Sequence, residues 1–159
     1  MPSVVSNTGP LIALATIGQF DLLRKLFGEI HIPPAVRAEI LDEKTVNAVT
    51  AADWIVVQTV RDEIAVQLLR GELDAGESEA IVLTRELNAD LLLIDDRSAR
   101  RRATAIELST IGTLGVLLLA KNEKLIPVLE PLLDDLRRVG FHMGDELYDQ
   151  VLDSASEKE

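Results

Sequence analysis

The chain has 159 residues, 27 of them acidic and 16 basic, with a formal net charge of −11 and no cysteine. That length suits a single core, and the missing cysteines exclude disulfides, thiolate zinc sites, iron–sulfur clusters and thiol nucleophiles. With aromatics at 3% and acids in excess, neither base stacking on aromatic platforms nor bulk phosphate neutralisation is the expected mode of action.

In chain order, Val4-Val5 reads as a buried strand. Two helices follow, Pro10 to Gly18 and Phe20 to Phe27, each closed by a glycine. Glu29 to Ile32 is a short strand ended by Pro33-Pro34, and Pro34 to Leu41 a helix. Trp54 to Val57 is a strand. Asp62 to Arg70 and Ala75 to Leu87 are helices. Leu91 to Ile94, four branched apolar residues, has the character of a strand buried on both faces. Asp96 to Ile106 is helical, Leu108 to Ile111 a strand, and Leu114 to Lys121, Leu125 to Val139 and Asp145 to Leu152 are helices. Strands alternating with helices imply a three-layer α/β/α architecture, with a central five-stranded parallel sheet and extra C-terminal helices. We expect one domain over residues 1–153 and a frayed tail over 154–159. The N-terminus lacks a basic region followed by a long apolar run, and no run approaches a membrane span, so a cytoplasmic protein is expected.

In open α/β sheets, sites form beyond the carboxyl ends of the strands. Those positions hold Ser6, Asn7 and Thr8 after the first strand, and a helix carrying Glu39 after the second. Asp95 and Asp96 follow the fourth, and Thr110 and Thr113 lie at the fifth. Glu77 and Glu79 lie in the first turns of the helix before the fourth strand. Oxygen donors dominate and no histidine joins them, which suits Mg²⁺ or Mn²⁺. Packed carboxylates raise one another's pKa, and a divalent ion relieves that repulsion. No G-x-G-x-x-G, P-loop or G-x-S-x-G motif is present.

Each candidate also has a purely structural use. Either Asp95 or Asp96 can cap the next helix, but one suffices. Asp74 and Glu77 have capping-box spacing. Glu79 has Val82 and Leu83 as same-face neighbours, a costly position for an unpartnered carboxylate, which makes it the preferred ligand of the two. Glu39 sits beside Val36 and Ile40 and is either a ligand or an ordinary helix carboxylate. Arg97, Arg100 and Arg101 share a face that serves as a phosphate clamp or as a solvated surface.

The segments SNTGPLIALATIG, IPPAVRAEI, LDAGESEAI, LLLIDDRSARR and IGTLGVLLLAKNEKLIP, in this order, resemble a prokaryotic branch of the PIN-domain superfamily from about Val4 to Val151. The resemblance implies a metal-dependent endoribonuclease with an RNA substrate. It further implies the toxin of a toxin–antitoxin pair, held by an antitoxin protein, with a homodimer as the usual assembly. By position, the family's first acid falls on Asn7, followed by Thr8. The second falls on Glu39, the third on Glu79 or Glu77, and the fourth on Asp96 or Asp95; the pocket hydroxyl falls on Thr113. Asn7 departs from the pattern, because an amide oxygen brings no charge and weakens Mg²⁺ binding. The reading is therefore a Mg²⁺- or Mn²⁺-dependent ribonuclease. Asn7, Glu39, Glu79, Glu77, Asp95 and Asp96 form its ligand set, and Thr8, Arg97, Arg100 and Thr113 contact substrate. The rival is an inactive PIN-like binding or regulatory module. A phospho-acceptor domain is set aside, because Asn7 and Gln58 stand where it needs acids.

Overall fold

The computed structural model describes residues 2–157. Its sheet is made of very short strands: β1 (Val4–Ser6), β2 (Ile30–Ile32), β3 (Ile55–Val57), β4 (Leu91–Leu93) and β5 (Thr110–Ile111). The central strands are covered on both faces, with Val4, Val5, Ile30, Ile32, Leu92 and Leu93 fully buried. This burial is why they read as unbroken apolar runs. All pairings are parallel, in the order β3-β2-β1-β4-β5. The chain starts at the centre, steps outward to β3, then returns to the far side of β1. The reversal between β1 and β4 opens a crevice at their carboxyl ends.

Helices cover both faces of the sheet, as the sequence led us to expect. α1 (Thr8–Thr16) packs on α4 (Glu43–Ala51) and α8 (Thr113–Asn122), and α2 (Asp21–Phe27) also packs on α8. Elsewhere, α6 (Ala75–Glu86) packs on α3 (Pro34–Glu39), α5 (Glu63–Leu69) and α7 (Arg97–Ala105). α9 (Glu130–Arg138) and α10 (Asp145–Ser154) close the fold. Among the described residues, no helix is long and apolar enough to cross a membrane.

Three elements differ from expectation. α4 was not anticipated: its apolar stripe is only Val46 and Val49. It is started instead by Asp42, whose side chain accepts from the Thr45 N–H at 2.9 Å and the Thr45 hydroxyl at 2.6 Å. The expected helix from Leu125 begins only at Glu130, because Pro127 and Pro131 interrupt it and Pro131 is tolerated only in the first turn. Ile126 and Leu129 are still buried, so the segment packs as an irregular strap. Finally, the chain stays anchored beyond Ser154. Ala155 is buried, and Glu157 accepts from the Lys121 ammonium and from the Leu129 and Glu130 N–H groups. The fraying expected from Ser154 therefore does not occur up to Glu157; residues 158 and 159 lie outside the described residues.

Candidate metal centre

Asn7 directly follows β1 and stands at the N-cap position of α1. Its N–H donates to the Leu93 carbonyl at 2.8 Å, tying it to the end of β4. An asparagine at this position ordinarily caps the helix through its side chain. Here the side chain makes no cap hydrogen bond, the residue is 7% exposed, and Oδ1 is buried without a partner. A buried acceptor left open costs about 1–3 kcal/mol, so this oxygen is available to a bound group.

Acids from three other segments stand along the start of α1, where Thr8 meets Glu39 and Gly9 meets Asp95. Glu39, at the end of α3, accepts from the Thr8 hydroxyl at 2.7 Å and from the Gly76 N–H at 2.9 Å. Glycine at position 76 permits this approach: a Cβ there would lie 2.3 Å from Glu39 Oε1. Glu77 closes the capping box with Asp74, exchanging hydrogen bonds of 2.8 and 3.2 Å. Burial pushes its carboxyl above the usual glutamate range. The negative charges of Asp74, Asp96 and Glu39 push the same way, against the lowering effect of the Asp74 N–H. Glu77 thus shares a negative field with two other candidate ligands.

Asp95 and Asp96 follow β4. The Asp95 carboxylate accepts from the Thr113 N–H and the Thr113 hydroxyl, both at 2.7 Å, which ties β4 to the start of α8. It lies between two glycines: an added Cβ would be 3.4 Å from Oδ2 at Gly9 and 2.8 Å from Oδ1 at Gly112. The same point at Gly112 is 3.1 Å from Arg100 Nη1, so the guanidinium stands beside the acidic edge. Asp96 caps α7 through the Ala99 N–H at 2.9 Å. The two aspartates therefore divide the roles that one residue could not fill alone.

One sequence candidate falls elsewhere. Glu79 does not join the cluster: its Oε1 accepts from the Ala35 N–H at 3.1 Å, at the start of α3. Glu79 is half-buried among its apolar neighbours, and its partner is a helix-end amide. Glu77, two residues earlier and on the opposite side of α6, faces Glu39 and Asp96 instead. Arg97 is exposed in the first turn of α7. The spacer glycines 76 and 112 were not singled out; a glycine inside the first turn of α6 was the available signal.

Among the described residues, no three acidic or histidine side chains already converge at ion-gripping distance. Thr8, Gly76, Asp74, Thr113 and Ala99 each hold one of the carboxylates. The donor chemistry nevertheless fits a hard divalent cation: an open amide oxygen, four nearby carboxylates and no sulfur or imidazole. A family model described as a PIN domain matches residues 3–157. No curated protein matches the chain.

Proposed function

The chain belongs to the PIN-domain family, a nuclease-type family that typically depends on divalent metal, and on that premise we propose that it is a metal-dependent endoribonuclease. We read it as the toxin of a toxin–antitoxin pair, working in the cytoplasm as a dimer. The observation that carries the nuclease reading is the open, buried Asn7 Oδ1 at the β1–β4 crevice, whose chain neighbours Thr8 and Gly9 meet Glu39 and Asp95.

Asn7, Asp95, Asp96, Glu77 and Glu39 would hold Mg²⁺ or Mn²⁺. When bound, the ion supplies an activated water and neutralises charge on a phosphoryl oxygen. The chain's own residues do the rest. Thr8 and Thr113 fix the Glu39 and Asp95 carboxylates in direction. Arg100, beside Asp95, and Arg97, one turn earlier, draw the RNA backbone to an otherwise repulsive edge.

The test is cleavage of single-stranded RNA with Mn²⁺ or Mg²⁺, giving 5′-phosphate and 3′-hydroxyl ends. We expect Asp96→Asn to lower the rate by about 100-fold or more and a chelator to abolish it. Metal-independent cleavage, or full activity in that variant, would overturn the proposal. The neutral Asn7 ligand and the internal partners of each carboxylate support a second reading, a silent binding module. That reading expects no cleavage with Mn²⁺ together with a stable complex with a partner protein.

A further inference from the structure

Glu79 is the acid that the metal centre leaves over. It lines a separate cavity of about 310 Å³ together with Pro34, Thr59, Val60, Glu63, Val66 and Gln67. The cavity lies beyond the ends of β2 and β3, between the start of α3, the β3–α5 loop, α5 and α6. Pro34, Val60 and Val66 give it apolar walls. Among the described residues, its charged lining residues are Glu63 and Glu79, both negative. Glu79 is fixed by the Ala35 N–H through Oε1 alone.

On α5, residues 63 and 67 form the cavity-side stripe, and residues 64 and 68 form the stripe beside it. Ile64 is 75% exposed and Leu68 is 76% exposed, one turn apart on a seven-residue helix. An acid-lined cavity with apolar walls thus adjoins a bare aliphatic ridge. A nucleic acid explains neither part well, since its phosphates are repelled by the carboxylates and its bases gain little from Ile64 and Leu68. A protein segment explains both. Its arginine stem lies on the valines with the guanidinium against Glu63 and Glu79, while its apolar side chains cover the ridge.

We propose that this cavity and ridge are the docking surface for a basic, amphipathic segment of a partner protein. The charge of −11 favours such a partner at long range. The surface stands whether or not the chain cleaves RNA, because its readout is binding away from the metal centre.

The experiment titrates the intact, isotopically labelled chain with three probes. The first is a short synthetic helix-forming peptide with leucine and arginine at three- and four-residue spacing. The second is the same peptide with glutamate for arginine, and the third is a short single-stranded RNA. We expect the arginine peptide to shift the methyl signals of Ile64, Val66 and Leu68. Glu63→Gln with Glu79→Gln should weaken its binding roughly tenfold, whereas Glu146→Gln on α10 should leave it unchanged. Glutamine at 79 keeps an oxygen for the Ala35 N–H, and a melting curve checks that the fold is retained. Equal binding by the double variant or by the glutamate peptide would overturn the proposal. So would RNA shifting these methyl signals, or self-association of the chain that Ile64→Asp abolishes.

Discussion

Glu77 shows how one side chain can serve structure and site together. It completes the capping box of α6 and also sits in the field of Glu39 and Asp96. Because its carboxyl is pushed up from the ordinary 4.5, the metal-free folded chain holds that proton more tightly than the unfolded chain does. Native stability should therefore fall as pH rises from 4.5 through the raised value. Glu77→Gln, which retains an oxygen for the Asp74 N–H, should remove that fall. Melting temperatures in chelator across pH 4 to 8 (about that range suffices) check it; identical slopes for the two proteins would count against the field described. The capping-box spacing was legible in the sequence, but the second role was not. It depends on residues 38 positions back and 19 ahead (77 − 39 and 96 − 77), which only the fold brings near. Glu79 is the converse case. Its apolar neighbours announced a half-buried, partnered carboxylate, but an amide and an ion satisfy a carboxylate equally well, and sequence spacing does not separate them.

At the scale of elements, the junction of α3 with α6 is where secondary structure and chemistry meet. Glu39 reaches Gly76 because no Cβ intervenes. In Gly76→Ala the Glu39 carboxylate must swing away, losing the Thr8 and Gly76 contacts. Those contacts are worth about 1–3 kcal/mol, partly offset by the roughly 1 kcal/mol that alanine gains in a helix. The fold should survive, while Mn²⁺ affinity measured by calorimetry drops by about tenfold or more. An unchanged affinity would show that Glu39 takes no part. The sheet and most helices were readable from apolar runs bounded by glycine and proline. α4 was not, because its stability comes from the Asp42 cap and from packing on α1 rather than from a broad apolar stripe. The late start of α9 was legible in principle, since Pro127 and Pro131 stand inside the leucine pattern that suggested an earlier one.

Across the whole molecule, the C-terminal segment is fastened to the body through Glu157. Burial alone would raise its carboxyl. The Lys121 ammonium and the Leu129 and Glu130 N–H groups outweigh burial and hold it below the usual range. Its contribution is therefore complete above the unfolded glutamate value of 4.5 and is lost as pH falls through the depressed folded value. Glu157→Ala leaves a buried strap amide and a half-buried ammonium without their acceptor. It should cost about 1–3 kcal/mol at neutral pH, and the deficit should shrink in acid. Urea unfolding at pH 7 and at low pH checks both parts; a pH-independent deficit would mean that the anchor is not ionic.

The order of the strands carries a temporal consequence. Asn7 is locked to Leu93, and Asp95 to Thr113, so the crevice needs partners that emerge from the ribosome long after its first oxygen does. Contacts this distant along the polypeptide close slowly. Until the fourth strand slots in beside the first, a growing polypeptide carries the early oxygens of the pocket and none of its shape. Any hydrolytic power this protein has therefore waits on that closure.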